Sequence, residues 1–376
     1  MSSPSNRLNI SDAFTSNRRA ILATGAGLGL AGALGSNVLA QDATPGASPE
    51  AGGVAVDPQM QEVLDALASF QAPPIEDVTP DIARNLPSVA NAVAQIVAEK
   101  GLPSQEAVGS IEHVLIPAPE GHEIVARVYT PATASTEPMP VLVYFHGGGF
   151  VIANLDTYDS SCRALSNAAG AIVASIAYRQ APEFPFPAAV DDAYTATQFF
   201  ISGAGGFGGD PEKVVVVGES AGGNLATVVS LRARDAGATM PAHQVLIYPL
   251  VTFAPAGEAA ASVEQFADAK PLNAPMLEWF GSYYSPDMAA VDSPDGSPLD
   301  VADLAGLPPA TVILAEIDPL LSQGQLYADA LEAAGVTVTS SVYTGVTHEF
   351  FGTGAVVDKA VEAVTEVADA ITAAFA

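Results

Sequence analysis

Ser220 lies in Gly218-Glu219-Ser220-Ala221-Gly222, which fits G-x-S-x-G. A serine hydroxyl is a poor nucleophile until a neighbouring base takes its proton. The five-residue pattern alone arises often by chance, so its surroundings decide. Val214 to Val217 are four consecutive valines, the mark of a strand buried on both faces. Residues 225–234 then carry a helical pattern. Strand, tight glycine turn and helix form the context that holds a serine in a strained turn, its hydroxyl exposed at the helix N-terminus. The competing interpretation is a Gly-rich turn with an incidental serine. It weakens if the chain also supplies a base, an orienting carboxylate and an oxyanion hole.

Of the five histidines, His113 and His122 fall in early strands, and His243 enters a later one. His146 heads a glycine triplet. His348 lies in a loop between the last predicted strand and the last predicted helix, downstream of the serine. Loops at strand C-termini are where α/β enzymes place chemistry, so His348 is the candidate base. The orienting carboxylate should also follow a strand. Asp318 does so after Thr311-Val312-Ile313-Leu314-Ala315, although an Asp-Pro turn or a helix cap would also explain it. Asp300, Asp303 and Glu316 are its rivals; the first two precede the strand, and Glu316 still belongs to its final turn. The order Ser, Asp, His is that of α/β-hydrolases rather than of other serine-hydrolase folds. In this scheme Asp318 fixes the tautomer of His348 and stabilises the imidazolium. The Ala221 N–H donates to the oxyanion, joined by Gly148 and Gly149 of His146-Gly147-Gly148-Gly149. Side chains there would keep the backbone from the substrate oxygen. One such donor is worth about 3–4 kcal/mol in the transition state.

The elements that must hold these residues alternate. Strands are expected at 110–116, 122–130, 141–145, 172–178, 244–248, 311–315 and 337–343, with the valine strand before Ser220. Helices are expected at 187–201, 323–334 and 356–375, and a Gly-rich loop at 203–211. Apolar strands alternating with helices mean an α/β fold with a mostly parallel sheet. Asp57-Pro58 reads as a helix start, and a second helix is expected at 86–99. These two precede the strands and are expected to form cap helices within 57–109. The catalytic α/β domain is 110–376. Its segment 253–307 breaks the rhythm and is read as a cap insertion.

The chain has 376 residues, 49% hydrophobic and 7% aromatic, which fits a large globular core. Its formal charge of −29, from 13 Lys and Arg against 42 Asp and Glu, repels nucleic acid and anionic membranes. A solvated acidic surface suffices to explain it. The single cysteine, Cys162, rules out an intrachain disulfide and a Cys-based zinc site. Residues 1–40 read as an export signal. Arg18-Arg19 precede a weakly hydrophobic Gly/Ala/Leu stretch, as in a twin-arginine (Tat) signal, and Val38-Leu39-Ala40 offers a cleavage site. This predicts a periplasmic or extracellular protein with no lasting membrane partner. An uncleaved membrane anchor is the alternative. Gly27-Leu28-Gly29-Leu30-Ala31-Gly32 matches G-x-G-x-x-G but has no strand before it, so no dinucleotide site is expected. Residues 41–56 read as a flexible linker.

Taken together, several motifs carry a resemblance. They are His146-Gly147-Gly148-Gly149-Phe150, Tyr178-Arg179-Gln180-Ala181-Pro182-Glu183, Gly218 to Asn224, Asp318-Pro319-Leu320 and His348. In order and spacing, over 57–376, they resemble the hormone-sensitive-lipase (HSL) family of α/β-hydrolases. The resemblance implies carboxylesterase activity on short acyl esters, with no metal or organic cofactor. It implies Ser220, Asp318 and His348 as triad and Gly148, Gly149 and Ala221 as oxyanion hole. It further implies a helical cap, and structural roles for Arg179 and Glu183. Two departures stand out. Leu321-Ser322-Gln323-Gly324 follows the triad Asp where many members carry further acidic residues; Ser322 could still cap the next helix. Glu349 follows the catalytic His where glycine is common, and would raise the pKa of His348 if it faced inward. The partner is then a small-molecule ester; a homodimer stays open. Amide or carbamate hydrolysis with the same triad is the nearest alternative, and a non-catalytic binding domain is the remote one.

Overall fold

The computed structural model describes residues 50–103, 105–133 and 135–376. The proposed signal, its G-x-G-x-x-G stretch and most of the linker lie outside the described residues. Residues 50–56, read from composition as linker, instead take defined positions. Glu50–Ala51 pairs antiparallel with Val54–Ala55, and Val56 is buried. The Asp57 N–H donates to the Gly345 carbonyl (2.8 Å).

Eight strands form one sheet. We number them β1 (Ser110–Pro117), β2 (Glu123–Thr130), β3 (Met139–Phe145), β4 (Ile172–Ala177), β5 (Gly209–Glu219), β6 (His243–Ile247), β7 (Ala310–Ile317) and β8 (Val338–Thr347). Their order is β8-β7-β6-β5-β3-β4-β2-β1. From β8 to β4 all pairs are parallel, while β1 and β2 join antiparallel. The four valines divide by strand alternation. Val214 and Val216 pack on one face, Val215 and Val217 on the other, which is why no polar residue interrupts them.

Helices cover both faces, as such a sheet requires. On one side lie α4 (Ala188–Gly203), α5 (Ala221–Asp235) and α7 (Leu321–Ala333). On the other lie α1 (Pro58–Ser69), α2 (Val89–Lys100), α3 (Asp159–Ala169) and α8 (Asp358–Ala374). Asp57 caps α1, accepting from the Gln59 N–H (2.9 Å), with Pro58 at the first helical position. Residues 253–307 contain α6 (Ala274–Tyr284) and short helical turns. This insertion meets the N-terminal segment: the Trp279 indole N–H donates to the Val78 carbonyl (3.0 Å).

Three boundaries differ from the sequence expectation. The stretch 203–211 is not all loop, because β5 begins at Gly209, which pairs with Met139. Helix α5 begins at Ala221, four residues early, since Gly222 and Gly223 lie inside it. Glycine is a poor helix former, which masks the start in sequence. Packing demands it nonetheless: a Cβ on Gly222 would sit 1.9 Å from the Phe145 carbonyl oxygen. Strand β8 runs on to Thr347 through an irregularity after Tyr343. Gly345, at φ +69°, absorbs that bend and delivers His348 to the end of the strand.

Candidate active site

Ser220 follows the last residue of β5 and precedes the first of α5, at φ 57°, ψ −117°. That conformation is costly for a side-chain-bearing residue and survives only where the surroundings enforce it. Here they do. The Ser220 N–H donates to the Ile247 carbonyl (2.9 Å), and its carbonyl accepts from Leu250 (3.2 Å) and Asn224 (3.2 Å). The Asn224 side-chain amide ties the helix onward to the Leu250 and Gly296 carbonyls.

Three side chains from three strand ends meet. Ser220 Oγ lies 2.9 Å from His348 Nε2, and His348 Nδ1 lies 2.6 Å from Asp318 Oδ2. Asp318 is fully buried, and its other oxygen accepts from the Leu320 N–H (2.8 Å). Burial draws the His348 pKa down. The charge and hydrogen bond of Asp318 push it up, Glu349 and Glu219 add to them, and the net shift is upward. The rival carboxylates lie elsewhere. Glu316 accepts from the Gly345 N–H (2.6 Å), Asp300 from the Thr252 hydroxyl and Asp303 from the Ala305 N–H.

The glycine loop runs beside the serine. Gly148 has φ +103° and Gly149 φ +58°. A Cβ on Gly148 would collide with the Ile152 carbonyl at 2.3 Å, and one on Gly149 with the Phe280 ring at 2.3 Å. Conformation and space both require glycine there. The Ala221 N–H opens α5 and has no acceptor within the helix, so it is free to point at an anion. His146 buttresses this loop. Its ring stacks on Tyr178, with centroids 4.4 Å apart, and its Nδ1 lies 2.7 Å from the Gly147 carbonyl. Desolvation lowers its pKa to about 4, so it stays neutral.

The other histidines and charges named from sequence are bonded within the framework. His113 accepts from Arg127, His122 meets Asp192 (2.8 Å) and His243 meets the Thr311 hydroxyl (2.9 Å). Arg179 pairs with Asp192 and Glu120, and Glu183 with Arg84. Ser322 does not cap α7. It lies inside the helix and exchanges hydrogen bonds with Ser262 of the insertion (3.0 and 3.1 Å).

One cluster was not anticipated. Glu219 is buried, and the hydroxyls of Tyr144 and Tyr248 each donate to one of its oxygens. Burial raises its pKa, and the two tyrosines offset part of the rise. Tyr248 also lies against the His348 ring, centroids 4.5 Å apart. The Tyr158 hydroxyl reaches Glu349 Oε1 at 3.3 Å.

Two cavities open on Ser220. One, of about 410 Å³, includes His348, Glu349, Arg84 and Asp156 in its wall. The other, of about 470 Å³, is walled mainly by apolar side chains, among them Leu250, Phe253, Leu277 and Met288. They share Gly149, Ser220, Leu272 and Phe280.

Comparison with known proteins agrees with this architecture. Residues 142–352 match the alpha/beta hydrolase fold family. The carboxylesterase NlhH of Mycobacterium tuberculosis is 39% identical over 244 residues, 64% of this chain and 75% of that protein. The ethyl acetate hydrolase of Pseudomonas putida is 37% identical over 256 residues, 67% of this chain and 79% of that protein. The solved esterase of Pyrobaculum calidifontis is 37% identical, with a TM-score of 0.75 over 85% of this chain and 98% of that one. The chain therefore belongs to the alpha/beta hydrolase fold family, in its hormone-sensitive-lipase-like branch.

Proposed function

We propose that this carboxylic ester hydrolase cleaves short-acyl esters through Ser220, His348 and Asp318. The observation that carries the reading is the unbroken chain Ser220 Oγ, His348 Nε2, His348 Nδ1, Asp318 Oδ2, with contacts of 2.9 and 2.6 Å. His348 takes the Ser220 proton as the oxygen attacks the ester carbonyl. Asp318 holds the imidazole with Nε2 toward the serine. The N–H groups of Gly148, Gly149 and Ala221 receive the developing oxyanion. His348 then gives its proton to the departing alkoxide, leaving an acyl-serine. Water, deprotonated by the same imidazole, releases the acid.

The proton route assigns the two cavities. The leaving oxygen must come within reach of Nε2, so the alcohol occupies the cavity walled by His348 and Glu349. The acyl chain points into the apolar one. A wall of Leu250, Phe253 and Leu277 favours a hydrocarbon acyl group, and a volume of about 470 Å³ favours a short one. Purified protein is expected to hydrolyse p-nitrophenyl acetate and butyrate, and Ser220→Ala to lower kcat at least about a thousandfold. Inert wild type across short acyl esters would remove the reading, and activity surviving in the variant would remove Ser220 from it.

The site of action we propose is outside the cytoplasm. Arg18-Arg19 before the Gly/Ala/Leu stretch supports twin-arginine export, and a chain with one cysteine needs no disulfide there. Fractionating cells that express the full chain, beside an Arg18→Lys/Arg19→Lys variant, tests this; activity retained in the cytosol by both would oppose it.

A further inference from the structure

Glu349 adjoins His348 and stands at φ 64°, in the left-handed region where glycine is free and other side chains are strained. A residue kept in such a conformation raises the question of what its side chain does. The carboxylate does not turn out to solvent. It is half-buried in the wall of the alcohol cavity, with Oε1 near the Tyr158 hydroxyl. Tyr158 is itself fixed, buried against the glycine loop.

The other charged side chains of that wall are already paired with ions of opposite sign. Arg84 is bound by Glu183 (2.7 Å) and donates to the Val151 and Ala181 carbonyls. Asp156 is paired with Arg127 (2.7 Å). His348 is held by Asp318. Glu349 alone among them has no cationic side chain against it within the described residues. The groups that face it are the His348–Asp318 pair, in which the imidazole is charged only when protonated, the Glu219 carboxyl and the Tyr158 hydroxyl. A partly desolvated carboxylate without a counter-ion attracts a cation that can enter the cavity and repels an anion.

We propose that Glu349 sets the charge preference of the alcohol cavity, selecting esters whose alcohol carries an ammonium group, such as amino-alcohol or quaternary-ammonium-alcohol esters. This rests on the ester-hydrolase reading and on the assignment of the alcohol to the His348 side. Burial raises the Glu349 carboxyl pKa, the His348 and Tyr158 contacts offset part of that, and Asp318 adds to it. Selectivity for a cation therefore strengthens as pH rises and Glu349 ionises.

Three matched acetates test it: those of choline, of 3,3-dimethylbutanol (the same shape without charge) and of 3-hydroxypropanesulfonate. Each depends equally on His348, so the ratio of kcat/KM values cancels its titration and reports the cavity. In high salt, which screens the long-range field of the acidic surface, the choline ester should lead the neutral one by about tenfold. The sulfonate should trail it. The choline preference should grow with pH, and Glu349→Gln should abolish most of it.

Equal kcat/KM for the choline and dimethylbutyl esters at every pH would overturn the proposal. So would a preference that Glu349→Gln leaves intact. Failure on all three esters and on p-nitrophenyl acetate would instead overturn the ester-hydrolase reading itself. Should Glu349→Gln not fold, wild type suffices. Choline should inhibit p-nitrophenyl acetate hydrolysis competitively, better than 3,3-dimethylbutanol and more so at higher pH, and equal inhibition would again overturn it.

Discussion

Glu219 precedes the proposed nucleophile, yet its side chain lines neither cavity and turns into a tyrosine pair. One hydroxyl on each oxygen replaces the water that a carboxylate would lose on burial. Its charge is felt at His348, where it adds to the upward shift set by Asp318. A histidine base works only when neutral, so the raised pKa moves the acidic limb of the rate profile upward from the ordinary histidine value. Removing the Glu219 charge lowers the pKa, and the limb moves the same way. Glu219→Gln should therefore gain relative activity at low pH, with the limb displaced downward. A kcat/KM profile on p-nitrophenyl acetate measures this; an unmoved or raised limb would exclude electrostatic coupling. That Ser220, Asp318 and His348 come together was legible in sequence because each follows a strand. The alternation of Val215, Val217 and Glu219 puts them on one face, but the role of Glu219 was not legible. That face receives Tyr144 from the neighbouring strand in register with Val217. Without knowing that β3 and β5 are neighbours, no pattern in the chain pairs those residues.

The elements meet at the start of α5, where the helix passes close to the glycine loop of the proposed oxyanion hole. Four consecutive valines made β5 obvious, and the apolar runs marked the neighbouring strands equally well. The helix start was harder to read, because Gly222 and Gly223 are chosen for clearance rather than for helicity. The last turn of β8 was missed for a similar reason. Gly345 reads as a strand terminator, yet the strand bends through it and continues. These are close approaches between segments far apart in sequence, which local propensity does not encode. The tightest can be tested. An added methyl at Gly222 meets backbone, the Phe145 carbonyl oxygen at 1.9 Å, so no side-chain rotation relieves it. Gly222→Ala should cost on the order of 3 kcal/mol and displace Ala221, with a matching loss of kcat. Gly203→Ala, at the end of α4 where a Cβ meets nothing within 4 Å, is the control and should stay within about 0.5 kcal/mol of wild type. Equal melting temperatures for the two variants would refute the clearance argument.

Across the whole molecule the dominant quantity is charge, at −29. Among the described residues every arginine and lysine except Lys270 sits in an ion pair. Almost no cation is left over to neutralise the remaining acids, and they repel one another across the surface. Salt acts on these two populations in opposite senses. It weakens the exposed ion pairs, each worth at most about 1 kcal/mol. It also screens the repulsion among excess carboxylates over a Debye length that falls from about 30 Å at 0.01 M to about 10 Å at 0.1 M. The pairs are short contacts, screened little, whereas the repulsion is summed over longer distances and screened most. The second effect should win. Raising sodium chloride from about 0.01 to about 0.5 M at neutral pH should lift the melting temperature by a few degrees, about what 1–2 kcal/mol does for a chain of this size. Most of the rise should come below about 0.15 M, where the Debye length changes fastest. A melting temperature that fell with salt would mean that the ion pairs, and not the acidic excess, govern stability. Sodium sulfate at matched ionic strength separates screening from the salting-out of apolar surface. Screening gives the same rise for both salts at low concentration, while salting-out gives a larger one for sulfate.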